Sequence, residues 1–184
     1  MRIIGGKYKS RVLAEFQGEA VRPTSDRARE ALFNILALKT REARVLDLFC
    51  GSGALGLEAY SRGASEVVFN DLSKDSLAIL KKNLTALKAL IGKEIKVLNY
   101  DGLSCLEVVK GEFDIILIDP PYKYEQGAVL LDRLVKRGLL SKSGVIVYEW
   151  DKPLNAQISG LECYDERKYG KAYFTFFRKQ QEEK

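Results

Sequence analysis

The chain has 184 residues, a net charge of +5, three cysteines and no histidine. That length fits one domain of ordinary size, the longest apolar runs (such as FDIILID) fall far short of the roughly 18–20 residues a bilayer helix needs, and the N-terminus lacks a secretion-signal layout, so a cytoplasmic protein is expected. Without histidine there is no imidazole acid–base chemistry, no His-ligated metal and no Ser-His or Cys-His nucleophile pair, and Cys50, Cys105 and Cys163, odd in number and without C-x-x-C spacing, suggest neither disulfides nor zinc.

The opening MRIIGGKYKSRVLAEF places two short strand-like pieces around Gly5 and Gly6, with basic residues at the bend, and reads as a hairpin or extended arm. After VRPT, the spacing of Ala28, Ala31, Leu32, Ile35 and Leu36 predicts a helix N-capped by Ser25, with Arg27, Arg29 and Glu30 on its other faces. Residues 1–44 carry ten Lys/Arg against five acids, and the remaining 140 residues carry twenty of each sign. The whole excess therefore sits in the N-terminal quarter, as in a polyanion-facing arm on a neutral body; a solvated basic tail is the bland alternative.

From residue 44 strand and helix alternate: RVLDLF, a helix through LGLEAYSR, EVVFND, the long KDSLAILKKNLTALKALI, EIKVLN, a short helix around LSCLEVV, FDIILID, a helix near GAVLLDRLVKRG, and GVIVYEW. Such runs of β-branched and apolar residues suit strands buried on both faces, and the alternation builds an α/β, doubly wound, mostly parallel sheet. At the end, LECYDERKYG and AYFTFFR follow one another across a glycine turn and predict an antiparallel hairpin joining that sheet as its sixth and seventh strands. The expected division is a basic hairpin-and-helix extension over residues 1–43 and a ligand-binding body over residues 44–184.

Between the first strand and its helix lies G-S-G-A-L-G, a G-x-G-x-x-G loop that serves any ligand approaching the backbone closely. In an open parallel sheet such ligands sit beyond the carboxyl ends of the strands, where Asp47, Asp71, Asp101 and Asp119 fall. A carboxylate at Asp47 would repel a pyrophosphate by on the order of 1–4 kcal/mol, but would attract S-adenosylmethionine, which carries a sulfonium and an ammonium and no phosphate. Asp71 can accept from ribose hydroxyls and Asp101 from an adenine amino group; for each aspartate singly, a helix N-cap is the competing role.

The stretch IDPPYKY adds a second constellation. Its two prolines stop the ladder, and Pro121 keeps Pro120 extended. Methylating an exocyclic base amine requires holding its N–H bonds so that the nitrogen lone pair is recovered from the ring. Asp119 and the carbonyl of Pro120 can accept those hydrogens, and Tyr122 offers a stacking face for an extruded base. No histidine is needed, because the methyl donor carries its own cationic leaving group. Cys50 reads as loop packing and AYFTFF as an inner strand, while Glu149 and Trp150 either line a base pocket or serve surface and core.

DPPY after the fourth strand, together with LDLFCGSGALGLEA, resembles the class I amino-methyltransferases. With RIIGGKYKSRVL and RPTSDRAREALFN the wider layout is similar to the RsmD family of small-subunit ribosomal RNA guanine-N2 methyltransferases. The resemblance implies a Rossmann-like seven-stranded fold. It implies an enzyme that transfers methyl from S-adenosylmethionine to N2 of one guanine in 16S-type rRNA, within the small ribosomal subunit, acting as a monomer without metal or membrane. It places the cofactor on Asp47, Phe49, Gly51, Ser52, Gly53, Asp71, Leu72, Asp101 and Gly102, and the amine on Asp119, Pro120, Pro121 and Tyr122. Lys7, Lys9, Arg11, Arg22 and Arg27 would track phosphates. Methylation of adenine N6, a non-catalytic RNA-binding assembly factor and a dinucleotide oxidoreductase are the competing readings.

Overall fold

The computed structural model describes residues 1–15, 25–89, 92, 94–121, 123–150, 157–170 and 172–181. Arg22 and Tyr122 lie outside them. The predicted alternation is found: β1 (Arg44–Asp47), α3 (Ala54–Ser61), β2 (Glu66–Asn70), α4 (Lys74–Ala86), β3 (Ile95–Leu98), α5 (Gly102–Val108), β4 (Phe113–Ile118), α6 (Gly127–Lys136) and β5 (Leu140–Trp150), after α1 (Asp26–Ile35) and a short α2 (Ala37–Thr40). The hairpin β6 (Leu161–Tyr169) and β7 (Ala172–Lys179) completes one seven-stranded sheet of order β3-β2-β1-β4-β5-β7-β6. Strands β1 to β5 are parallel, and β7 inserts antiparallel between β5 and β6. Strand order reverses between β1 and β4, so the crevice at their carboxyl ends is the expected ligand position.

The strands lack polar alternation because both faces are covered. Val45, Val67, Ile115, Leu117 and Val147 pack on one side with Leu32, Phe33, Leu57, Leu80 and Leu84 of α1, α3 and α4. Leu46, Val68, Ile116, Ile118 and Tyr148 pack on the other with Cys105, Leu106, Leu130, Leu131 and Leu134 of α5 and α6. Each side is an apolar cluster of fully buried side chains, and this double burial is the main source of stability. The strand predicted over GVIVYEW begins earlier, at Leu140, with a register shift against β4 between Phe113 and Ile115.

The N-terminal arm is a tight hairpin closed by the bridge between Arg2 and Val12, with a 3-10 turn (Gly6–Tyr8) at its tip. Ile3 and Leu13 enter the same apolar cluster as α1 and α3, so extension and body share a core. Ser25 caps α1 by accepting from Ala28 N, as its sequence position predicts. One expectation for this helix is corrected: Arg29 does not sit on an outer face but is 0% exposed, turned inward beneath the arm. There its Nη2 donates to Arg2 O at 2.5 Å and to Asp26 Oδ1 at 2.8 Å.

Candidate active site

The glycine loop is built by the junction of β1 and α3. Gly51 and Gly53 adopt φ of +52° and +88°, which side chains with a Cβ rarely adopt, and Gly53 is the N-cap of α3. Asp47 lies behind this turn rather than at its mouth: it is 1% exposed and accepts from Gly56 N at 2.8 Å. A Cβ at position 56 would come within 2.3 Å of the Phe69 ring and 2.9 Å of Asp47 Oδ2, so only glycine lets the helix approach that carboxyl. Burial, partly offset by the Gly56 bond and reinforced by Asp71, pushes the Asp47 carboxyl up to about 7. Its effect on a ligand thus runs through the loop it holds, more than through an exposed charge.

Asp71 faces the loop from the end of β2. Its Oδ2 accepts from Gly51 N and its Oδ1 from Ser73 N, both at 2.8 Å. Each oxygen keeps a second acceptor position. Above Gly51 a Cβ would meet nothing within 4 Å, so the loop opens to space at this point. Ser52 is half-buried beside it, and Leu72 is 68% exposed at the rim. Asp101 caps α5, its Oδ1 accepting from Ser104 N at 3.0 Å, and these hydrogen bonds from Ser104 hold its carboxyl below the usual range. Gly102 begins α5 against the Phe49 ring, which meets Tyr124 edge-on at 5.1 Å. The structure thereby gathers nearly all the predicted cofactor residues along the ends of β1, β2 and β3.

Asp119 and Pro120 leave the end of β4 half-buried, next to β1, while Pro121 is exposed and its carbonyl accepts from Tyr124 N at 2.8 Å in the following turn. The Asp119 carboxyl is pushed well above its ordinary value, first by burial, then by the charges of Glu149 and Asp47. Lys7, Lys9, Arg11 and Arg27 are exposed. Lys7 lies over the Tyr8 ring at the arm's tip, on a groove of about 580 Å³ that also carries Glu42, Glu66 and Glu94.

Two asparagines that sequence reasoning missed tie the site together. Asn70 Nδ2 donates to Leu48 O and Tyr100 O, both at 3.0 Å, and its Oδ1 accepts from Tyr100 N, locking the ends of three strands. Asn83 of α4 donates to Ser52 O at 2.9 Å and exchanges bonds with Ala14 N and O, joining the arm to the glycine loop. The sequence signals were a polar residue closing the apolar run EVVFN for Asn70, and for Asn83 a polar residue on the helix face that carries Leu80 and Leu84.

The doubly wound sheet with its antiparallel seventh strand, the acid-lined glycine loop at the switch point and the DPP turn beside it define a class I S-adenosylmethionine-dependent methyltransferase. An acid-lined cradle open above Gly51 fits a cationic, phosphate-free cofactor. The family described as "Conserved hypothetical protein 95" matches residues 1–178, and the chain belongs to it. Ribosomal RNA small subunit methyltransferase D of Haemophilus influenzae is 37% identical over 158 residues, covering 84% of this chain and 81% of the relative. The protein of the same name from Escherichia coli is 37% identical over 149 residues, covering 81% and 74% respectively. The solved structure of Escherichia coli yhhF superposes with a TM-score of 0.85 at 33% identity, over 98% of each chain.

Proposed function

We propose that this enzyme methylates the exocyclic N2 amine of a guanine in small-subunit ribosomal RNA, most readily within the subunit particle. The observation that carries this reading is the placement of Asp119 and Pro120 at the β4 end, one strand from the glycine loop and in the crevice where strand order reverses. The similarity to rRNA methyltransferases D over most of the chain supports the choice of substrate class.

Asp71 and Asp101 would accept from the cofactor's ribose and adenine, Leu72 and Phe49 would border the adenine, and the loop Gly51–Gly53, held by Asp47, would lie along the methionine part. When bound, S-adenosylmethionine supplies a methyl group on a cationic sulfur. Asp119 accepts one N–H of the target amine and the Pro120 carbonyl accepts from the same group, which draws the nitrogen lone pair out of ring conjugation toward the donor side. The half-buried setting of Asp119 strengthens that bond by excluding water. The proton leaves by way of the Asp119 carboxylate after transfer, so no stronger base is required. Pro121 and Tyr122 shape and stack the extruded base, and Lys7, Lys9, Arg11, Arg22 and Arg27 meet phosphates. The protein acts as a monomer in the cytoplasm; among the described residues no helix is long and apolar enough to cross a membrane.

The test incubates the protein with labelled S-adenosylmethionine and small subunits lacking the modification, naked rRNA or DNA, and identifies the labelled nucleoside. N2-methylguanosine in rRNA supports the reading. N6-methyladenosine, or tight RNA binding without label, overturns it. Asp119→Ala is expected to lower turnover by about 10²–10³-fold or more with cofactor affinity nearly unchanged; retained turnover removes Asp119 from the assigned role.

A further inference from the structure

The clamp formed by Asp119 and Pro120 grips an amine and does not read the ring to which it is attached. Guanine N2 and adenine N6 are both –NH2 groups beside a ring nitrogen. They differ in that nitrogen: guanine N1 carries a hydrogen and adenine N1 a lone pair. A site that selects guanine therefore needs a second acceptor next to the first, placed where the ring N1 falls once the amine is held.

The sheet supplies one. Strands β4 and β5 are parallel and in register, with Leu117 opposite Val147 and Ile118 opposite Tyr148. Leu117 and Val147 point into one apolar cluster, and Ile118 and Tyr148 into the other. Strand β4 ends at Ile118, and continuing its alternation by one residue puts Asp119, at the start of the turn, on the same face as Glu149 of β5, at the ends of neighbouring strands. Both are half-buried. Like charges at the ends of neighbouring strands repel, and after burial, the larger cause, the charge of Glu149 raises the affinity of Asp119 for its proton. A carboxylate pair at the carboxyl edge of a sheet, beside the ligand crevice, presents two neighbouring acceptors to a ligand with two adjacent donors. Guanine, with N2–H and N1–H side by side, is such a ligand; adenine is not.

We infer that Glu149 is the specificity-determining acceptor of this site, taking the N1–H of guanine while Asp119 takes the N2–H. The inference rests on the guanine-N2 reading above and adds to it the means of rejecting adenine. Facing the N1 lone pair of adenine, the Glu149 carboxylate repels it; facing N1–H, it forms a charge-assisted bond. The groups around Asp119 are Glu149 of β5 and Asp47 of β1, with the Tyr148 hydroxyl also within reach of its charge.

The test uses the full-length protein and small subunits reconstituted with rRNA in which the methylated guanosine, mapped by nucleoside labelling, is replaced by 2-aminopurine riboside. This base keeps the 2-amine but has a lone pair at N1. The kcat/KM ratio of guanine to 2-aminopurine is measured for wild type, Glu149→Gln and Glu149→Asp, so that the intrinsic reactivity of the two amines cancels between variants. The Gln variant is expected to narrow the ratio by about 10- to 100-fold, because its amide can donate to the unprotonated N1 as well as accept. The Asp variant, which keeps the carboxylate, is expected to turn over more slowly while retaining the discrimination. Removing the Glu149 charge should also move the rising limb of the guanine pH–rate profile to lower pH, since the charge that helps hold the Asp119 proton is gone. S-adenosylmethionine affinity measured alongside reports on the folded state of each variant. A ratio and a pH limb unchanged in Glu149→Gln overturn the inference while leaving the methylation reading intact. Absence of N2-methylguanosine with the wild type overturns both.

Discussion

At residue 47 an ordinary carboxyl would be ionised throughout the neutral range, yet here burial holds it up to about 7 from a starting value of 3.8. The folded protein therefore keeps a proton that the unfolded chain has released between those two values. The stability associated with Asp47 is fully present below about pH 3.8 and is lost as pH rises to about 7. Asp47→Asn keeps an acceptor for Gly56 N and cannot ionise. Across that window wild type should lose stability relative to this variant, by on the order of 2–4 kcal/mol. Urea denaturation of both proteins at several pH values between 4 and 8 measures the difference, and parallel profiles would refute the assignment. The residue also marks how far the sequence could be read. Its position at a strand end beside a glycine loop was legible from spacing. That its carboxyl turns inward to a helix amide was not, because this depends on Gly56 permitting a close approach from nine positions away.

Among the elements, α3 carries the least expected feature: a glutamate with no solvent exposure at the centre of an apolar helix. Glu58 accepts from Ile4 N and Gly5 N at 2.8 Å each and from Arg62 Nε at 2.7 Å, and its Oε2 lies 3.9 Å from Arg29 Nε. It thus satisfies two backbone donors of the arm, which as an isolated hairpin would be marginal in water. Glu58→Ala leaves those two amides without their acceptor and takes away one of the two carboxylates near the buried Arg29, whose hydrogen bonds to Arg2 O and Asp26 remain, and should destabilise the fold by on the order of 3–5 kcal/mol. Faster hydrogen exchange at Ile4 and Gly5, measured on the folded variant, is the specific sign that the arm has detached; unchanged exchange would show that its other contacts, the apolar ones of Ile3 and Leu13 and the bonds to Asn83, Ser61 and Arg29, hold it without Glu58. Alternation of strand and helix, the Ser25 cap and the hairpin at the end were all visible in the sequence, because each follows from local periodicity or turn chemistry. The clamps made by Glu58, Asn70 and Asn83 were invisible, since each joins segments 22 to 69 positions apart. A polar residue in an apolar run or on the apolar face of a helix reveals that some partner exists and gives no hint of which.

For the molecule as a whole, the charge excess of the N-terminal quarter narrows once the chain is folded. Arg29 is buried, and Arg2 and Arg29 both pair with Asp26. Lys7 shares its groove with three glutamates, which weakens the field it offers a polyanion. Arg11 on the arm and Arg27 on α1 are exposed. If these carry the contact with RNA, each phosphate neutralised releases a counterion, and the logarithm of affinity falls with the logarithm of salt in proportion to their number. Replacing Arg11 and Arg27 together by alanine should reduce that slope by about 1.5 and weaken RNA binding at low salt far more than at high salt. The same exchange at Lys7 should change the slope less, because its charge is already set against Glu42, Glu66 and Glu94. Filter binding of rRNA fragments over a salt series reads both numbers. A slope insensitive to the paired substitution, or more sensitive to Lys7, would move the phosphate path off the arm and α1 and toward the basic residues of the body.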